Sequence, residues 1–425
     1  MSGAAAITGL GAVSGFGLGV DALWTGLLSG ATALLPRADG EKLGISGLPL
    51  SLVPLPDEAG GAPVTPGASV LRSPRPRATQ MSLLAAEEAL RDAGLPLDRS
   101  ARPGLPTRRL GVCVGTTHGE KAPWLAAQRG DGGGEASQGT DHGPALPAQR
   151  IAQEFAADRI RVACAACASG NVALSTGLGW IRAGLCDVVL CGGCDALHDF
   201  VLSGFQSLRA LSPTACRPFD AGRSGLSLGE GAAFVVLESI EHARARGGRV
   251  RALLSGTGQS SDANHMTGPD REGRGAARAM RAALQDAGLA DSAIDFVSAH
   301  GTATAFNDQM EGHALASVFG ARTAHLPVHS IKGAVGHSMG AAAALEAVMI
   351  VRALEDQRVP ATIGLLQPDP AIPLCLVQGQ AQALPMRHIL STASGFGGLN
   401  AAIIVSLPSA DGRAQPRPVP AGAQP

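Results

Sequence analysis

Runs of consecutive apolar residues alternate with segments of helical periodicity along most of the chain. Buried strands are predicted at 4–13, 111–115 (GVCVG), 187–191 (DVVLC) and 232–238 (AAFVVLE). Residues 80–90 (QMSLLAAEEAL) have the spacing of an amphipathic helix, and Gly94 after them is a helix stop. Apolar strands that alternate with helices predict a layered α/β fold whose sheets are covered on both faces.

One order of elements occurs twice. EEALRDAGL at 87–95 is matched by MRAALQDAGL at 280–289, and each copy precedes a short apolar strand, a turn with Gly, Thr and His, and a Gly- and Ala-rich helix. This order predicts two similar α/β halves, residues 1–252 and 253–408, whose strand-end turns meet at a shared centre. The Pro-rich residues 409–425 are predicted to be a disordered tail.

Composition restricts the class of protein. With 45% hydrophobic and 16% charged residues, the 425-residue chain has enough apolar side chains for a large core. A net charge of −1 provides no global basic field for nucleic acid. The chain has no apolar run of membrane-spanning length and no basic signal-peptide region at its start. We therefore expect a cytoplasmic protein with no nucleic-acid or membrane partner.

Four of the eight cysteines have a spacing close to that of a zinc ribbon. Cys164 and Cys167 form one C-x2-C pair, and Cys191 and Cys194 form another after 23 intervening residues. These cysteines lie among Ala, Val and Leu, whereas zinc knuckles lie on polar, Gly-rich turns. We predict reduced, buried thiols with one reactive member and no metal, and keep a zinc site as the weaker alternative.

The reactive thiol is expected in VACAACASGNVALS, residues 162–175. There an apolar run ends at a small-residue corner carrying Cys167, and a helix-forming segment follows. Free N–H groups and the helix dipole at such a position favour the thiolate. A nucleophilic cysteine that forms a covalent intermediate needs this environment.

Further reactive side chains follow predicted strands or lie on Gly-rich loops: His300 in SAHGTATAFNDQMEGHA, Lys332, His337 and Glu346 in SIKGAVGHSMGAAAALE, Phe396 in SGFGGLN, and the charged loop 216–233. Singly, each has a plainer explanation, such as a solvated lysine, a tight turn or an ordinary histidine. We expect ordinary roles for His118, His142 and His388. Together, a thiol, two histidines and a buried lysine–glutamate pair suit acyl transfer through a thioester.

The motifs ACASG, HGTxT…ND…E, a Lys ahead of GH, and GFGG resemble those of β-ketoacyl-acyl-carrier-protein synthases of the elongating, two-histidine type. The resemblance runs from ITGLGAVS to FGGLNAAIIV, roughly the first 408 residues. It implies a thiolase-like, five-layered αβαβα fold. It also implies that Cys167 carries the acyl chain, that backbone N–H groups of Cys167 and Phe396 form an oxyanion hole, and that His300 and His337 act on a malonyl-carrier.

The resemblance implies further roles. Lys332 would pair with Glu346, Phe396 would gate the acyl channel, and substrate-binding residues would be Thr302, Thr304, Gly395 and Gly397. No cofactor is implied apart from the phosphopantetheine of the carrier that holds the substrate. The implied partners are an acyl carrier protein, its malonyl form and a second subunit, either identical or a related synthase-like chain. Basic docking residues for the acidic carrier would be Arg72, Arg75, Arg77 and Arg209.

Several positions depart from the family pattern: Asn264, Ala303, Asn307, Ser394 and the Gly-rich segment 117–147. In the family that the chain resembles, the segment corresponding to 117–147 forms part of the dimer interface and of the distal acyl pocket. Fatty-acid elongation is therefore the main hypothesis, and a polyketide or aryl-polyene ketosynthase of secondary metabolism is the alternative. A chain-length-factor subunit is weaker because Cys167 and both histidines are present. A non-decarboxylating thiolase is weaker because it uses a second cysteine in place of paired histidines.

Overall fold

A computed structural model of the chain describes residues 3–36, 47–55, 76–97, 109–121 and 143–408. The helices within these ranges are α1 Val20–Leu28, α2 Arg77–Asp92, α3 Leu146–Glu154, α4 Ser169–Arg182, α5 Asp199–Ser207, α6 Ile240–Ala245, α7 Arg274–Ala287, α8 Ala305–Phe319, α9 Lys332–Val335 and α10 Ala342–Asp356. The strands are β1 Ala5–Ser14, β2 Gly17–Leu18, β3 Leu35–Pro36, β4 Pro49–Leu50, β5 Leu110–Gly115, β6 Arg159–Ala163, β7 Val188–Asp195, β8 Gly231–Glu238, β9 Ala252–Ser261, β10 Phe296–Ser298, β11 Pro327–His329, β12 Arg358–Val359, β13 Cys375–Leu376, β14 Gln382–Ala383, β15 His388–Gly395 and β16 Leu399–Ser406.

The main sheet has two halves that meet at one short pairing. Its strand order is β13-β11-β10-β15-β16-β9-β1-β8-β7-β5-β6. Strands β9 and β1 pair over three residues each, Leu254 to Ala252 against Ala5 to Ile7. Each half mixes parallel pairs, such as β5–β7 and β10–β15, with antiparallel ones.

Alternate residues of each strand face different helical layers. In β7, Val188 and Leu190 belong to the core under α2 and α3, whereas Val189 and Cys191 face α4 and α10 on the other side. The other half-sheet faces the same central helices on one side and α7 and α8 on the other. This gives the five-layered αβαβα fold with two similar halves that the resemblance implies. The limits proposed for those halves stay a prediction.

The repeated DAGL segments end their helices in the same way. Gly94 and Gly288 both have left-handed backbone angles, with φ 65 in each case. The N–H groups of Leu95 and Leu289 then donate to Leu90 and Leu284, which closes the last turn. The helix predicted at 80–90 is longer than expected and spans Arg77–Asp92. The tail 409–425 and most of the Gly-rich segment, 122–142, lie outside the described residues.

Candidate active site

Cys167 lies at a sharp corner between β6 and α4. Ala166 has a φ of 48, and Ser169, the first residue of α4, accepts a hydrogen bond of 2.9 Å from the N–H of Ala165 through its hydroxyl. That hydroxyl also donates to the carbonyl of Ala166 at 2.5 Å. The thiol is therefore held at the N-terminus of a buried central helix, as predicted, and only 8% of Cys167 is exposed.

His300 follows β10 and is held by a buried carboxylate. Glu311 in α8 accepts the N–H groups of His300 and Gly301, at 2.5 and 2.7 Å, and the hydroxyl of Thr392 at 2.8 Å. Sequence reasoning included this glutamate in a motif but gave it no role. Its position 11 residues after His300, inside a predicted helix, is the signal that could have identified it.

His337 is oriented by its own loop. The N–H of Met339 donates to Nδ1 of His337 at 3.0 Å, so the proton of the neutral ring lies on Nε2. The rings of His300 and His337 are perpendicular, with centroids 5.3 Å apart. Ligand atoms of Cys167, His300 and His337 all lie within 4.8 Å of one another. The structure thus brings together the three residues to which the sequence assigns the chemistry.

A buried ion pair lies next to this group. Nζ of Lys332 is 2.7 Å from Oε1 of Glu346, and both side chains are at most 1% exposed. Burial and the Lys332 ammonium hold the pKa of His300 and of His337 well below the usual range. Cys167, His300 and His337 are also a geometrically possible metal-ligand set. The nearby ammonium opposes a cation there, and Cys191 and Cys194 are not part of the set.

Burial opposes the thiolate form of Cys167 that the helix N-terminus favours. Burial raises the pKa of Cys167 to about 12, although the Lys332 ammonium and the N–H groups of Cys167 and Phe396 act in the opposite direction. The helix N-terminus is present, but desolvation of the thiolate outweighs it. Cys167 is therefore a neutral thiol at physiological pH.

Two cavities open onto Cys167. The larger, of about 960 Å³, is lined by the catalytic group and by Thr302, Thr304, Gly395 and Phe396. The hydroxyls of Thr302 and Thr304 are 2.9 Å apart. Gly397 is not among the lining residues; its N–H donates to the carbonyl of Met266 at 2.7 Å. The smaller cavity, of about 570 Å³, includes His118, Cys164, Phe200 and Phe205 in its lining.

Asp195, at the end of β7, connects two loops near the site, and sequence reasoning missed it. Its buried carboxylate accepts the hydroxyls of Thr116 and Thr117, at 2.7 and 2.6 Å. It also accepts the N–H groups of Thr117, His118 and Gly340, at 2.9, 3.1 and 2.7 Å. These five hydrogen bonds join the loop beside the smaller cavity to the loop that follows His337.

The other residues singled out from the sequence have mixed outcomes. Arg77 is buried and pairs with Glu230, so it is not available for docking. Arg209 is exposed at the larger cavity, whereas Arg72, Arg75 and His142 lie outside the described residues. His388 is an ordinary buried histidine whose Nδ1 lies 2.8 Å from Oγ of Ser406. At the departure Ser394, the hydroxyl donates to Oδ1 of Asn400 at 2.8 Å.

The comparisons with known proteins agree with this geometry. The family model "Beta-ketoacyl synthase, N-terminal domain" matches residues 4–243, and "Beta-ketoacyl synthase, C-terminal domain" matches residues 251–366. Nodulation protein E of Rhizobium meliloti (strain 1021) is 35% identical over 93% of this chain and 97% of its own length. The 3-oxoacyl-[acyl-carrier-protein] synthase 2 of Staphylococcus aureus (strain COL) is 32% identical over 94% and 97%.

Solved structures give the same result. The ishigamide ketosynthase/chain length factor is similar with a TM-score of 0.83 and 36% identity, over 95% of this chain and 99% of that one. The structure of a type II PKS acyl-carrier protein in complex with its ketosynthase bound to the hexaketide is similar with a TM-score of 0.84 and 29% identity. The match covers 95% of this chain and 99% of that one. With a thiolase-like fold, both family domains and the Cys–His–His group, the chain belongs to the β-ketoacyl synthase family and is an enzyme of that class.

Proposed function

We propose that the chain condenses an acyl group held on Cys167 with the malonyl group of an acyl carrier protein, giving a 3-oxoacyl-carrier and CO2. The observation that carries this proposal is the buried group of Cys167, His300 and His337, whose ligand atoms lie within 4.8 Å beside two cavities. No cofactor is needed apart from the phosphopantetheine that carries the substrates. The main hypothesis places the reaction in fatty-acid synthesis.

In the first step, Sγ of Cys167 attacks the thioester of the incoming acyl-carrier. Because the pKa of this thiol is raised, its proton leaves as the C–S bond forms and ends on the departing pantetheine sulfur. The N–H groups of Cys167 and Phe396, which lie close enough to Sγ to lower its pKa, would stabilise the oxyanion of the tetrahedral intermediate. The acyl chain then occupies the smaller cavity.

In the second step, the malonyl-carrier enters the larger cavity. Thr302 and Thr304 would bind the pantetheine amides, and Phe396 would gate access. Loss of CO2 leaves an enolate, which the Nε2–H of neutral His337 and the ring of His300 stabilise by hydrogen bonds. The enolate carbon attacks the Cys167 thioester, the C–S bond to Cys167 breaks as the 3-oxoacyl-carrier forms, and the sulfur takes a proton from solvent water. Low histidine pKa values suit this role because the rings donate while remaining neutral.

The partners follow from the site and from the relatives. An acyl carrier protein would supply both substrates, and one similar solved structure is a complex of an acyl-carrier protein with its ketosynthase. A second subunit, identical or related, is supported by the exposed edge strand β6, where Arg159, Ile160 and Arg161 are accessible. The ishigamide structure pairs a ketosynthase with a chain length factor. No described helix is long and apolar enough to cross a membrane. We propose a cytoplasmic location for the enzyme.

The experiment is intact-mass analysis after incubation with acyl-carriers of different chains, followed by addition of malonyl-carrier. We expect an acyl adduct on Cys167 that disappears as a 3-oxoacyl-carrier forms. Cys167→Ser should lose the adduct and the condensation. Condensation that survives in Cys167→Ser, or an adduct on another residue, contradicts the proposal.

A specific observation favours the secondary-metabolism alternative for the same chemistry. In the smaller cavity His118 and Phe200 are neighbours, with ring centroids 6.3 Å apart. Burial lowers the pKa of His118, so its ring is neutral and can donate or accept a hydrogen bond. Such a wall suits an unsaturated or oxygenated chain better than an alkane. Efficient elongation of saturated C8–C14 chains without preference for polyenes would reject this alternative.

A further inference from the structure

An arginine is held on an exposed aromatic ring at the larger cavity. Cζ of Arg271 lies 4.3 Å from the centroid of the Phe306 ring, and both residues line the cavity that contains Cys167. Phe306 is 52% exposed, although it is the second residue of α8 and lies six residues after His300. The stack holds the guanidinium on one side while leaving its N–H groups free to bind an anion.

The two carboxylates that line the same cavity, Asp262 and Asp270, have other partners than Arg271. Asp262 accepts the side-chain N–H of Asn400 at 2.7 Å and the N–H of Asp270 at 3.0 Å. Asp270 is paired with Arg274 at 2.9 Å.

The three arginines that line this cavity differ in whether they form an ion pair. Arg223 pairs with Asp369 at 2.6 Å. Arg209 and Arg271, in contrast, form no ion pair within the part of the chain that the structure describes. Among the described residues the cavity lining therefore carries two arginines without an ion-pair partner, against one carboxylate, Asp262, whose hydrogen-bond donors are neutral.

We propose that Arg271, positioned by Phe306, binds the phosphodiester of the carrier's phosphopantetheine arm, with Arg209 as the second cation of the entrance. The proposal rests on the proposed function, because the thioester end of that arm must reach Cys167. The arm is neutral apart from its phosphodiester. When the arm is inserted, its phosphodiester lies nearer to an arginine of the cavity lining than the carrier's own side chains do. Charge-assisted bonds from a planar guanidinium suit phosphate oxygens.

The test compares three acyl donors with the same acyl chain: acyl-pantetheine, acyl-phosphopantetheine and acyl-carrier. Arg271→Ala should raise KM roughly 10- to 100-fold for the two phosphorylated donors and leave acyl-pantetheine unchanged. Arg271→Lys should recover part of the loss, and Phe306→Leu should give a smaller KM increase with kcat retained. Arg244→Ala, an exposed arginine of α6 outside the cavity lining, is the matched control.

Two results would overturn the phosphate assignment. An equal KM increase for all three donors would mean that Arg271 acts without recognising the phosphate. An increase for the acyl-carrier alone would mean that Arg271 contacts side chains of the carrier. Failure of the proposed function is distinguishable from both, because wild-type Cys167 would then remain unacylated by every donor.

Discussion

The ammonium of Lys332 and the carboxylate of Glu346 form a fully buried ion pair, 2.7 Å apart, beside both active-site histidines. Removing one partner leaves the other charge buried without compensation. Lys332→Met should therefore lower the free energy of unfolding by about 3–5 kcal/mol, and Lys332→Met with Glu346→Leu should recover most of it. Urea denaturation of the two single variants and the double variant measures the coupling. Equal stability of Lys332→Met and wild type would contradict the predicted cost of leaving Glu346 without its partner.

The same double variant makes a prediction about pH. The Lys332 charge helps to hold the pKa of His300 and His337 down, so its removal favours the imidazolium forms. On lowering the pH, condensation should be lost at a higher pH in the double variant than in wild type. Rate profiles between about pH 5 and pH 8, a range that brackets the ordinary histidine pKa, measure this shift. Superimposable profiles would show that the ammonium does not act on the histidines.

Alkylation of Cys167 should have no plateau near neutral pH. With a pKa of about 12, the thiolate fraction rises about tenfold for each pH unit across the accessible range. Iodoacetamide rates, read by peptide mass analysis in a Cys164→Ala background, give the profile without the exposed neighbouring thiol. A plateau at or below about pH 8 would mean that the resting enzyme holds a thiolate.

Loss of the His337 ring should separate the two half-reactions. His337→Asn removes the Nε2–H donor, so CO2 release from malonyl-carrier should fall by about 10²–10³-fold. Acylation of Cys167 depends on the backbone N–H groups and should fall far less. His325→Asn, an exposed histidine outside both cavity linings, is the control. An equal fall in both half-reactions would argue against a specific role in enolate stabilisation.

Two glycines of α4 should respond in opposite directions to alanine. A Cβ at Gly170 would lie 2.8 Å from the backbone nitrogen of Ala344 in α10, so Gly170→Ala should cost about 1–3 kcal/mol of stability. At Gly179 a Cβ meets nothing within 4 Å, so Gly179→Ala should stabilise by about 0.5–1 kcal/mol. Urea denaturation measures both. Destabilisation by both would show that α4 tolerates no added methyl group.

The strands and helices of the fold were largely predictable because each corresponds to a local pattern of apolar and polar residues. Apolar runs identified β1, β5, β7 and β8, and the repeated DAGL segments identified α2 and α7 with their glycine ends. The five-layered packing came from the family resemblance. Local patterns could not supply it because it depends on which alternate residues of β7 face which helices.

The site was predictable where one segment carries the chemistry, and not where distant segments meet. Cys167, His300 and His337 each lie in a recognisable motif. Arg77 resembles a surface arginine in sequence, but Glu230, 153 positions away, pairs with it in the core. The pKa of Cys167 is set by burial, which no local pattern records. The stack of Arg271 on Phe306 likewise joins a loop residue to the first turn of α8, 35 positions away in the chain.

Asp195 has a consequence for redesigning the acyl cavity. The backbone at Thr117 and His118 is held by the same carboxylate that holds Gly340, three residues after His337. Changes in cavity shape that keep this backbone fixed, such as substitutions of the His118 or Phe200 side chains, can alter chain selection alone. Insertions or deletions in the loop would instead pull on the carboxylate and displace His337. If the smaller cavity holds the acyl chain as proposed, exchanging its side chains should change which chain is accepted, whereas remodelling this loop should impair the reaction itself.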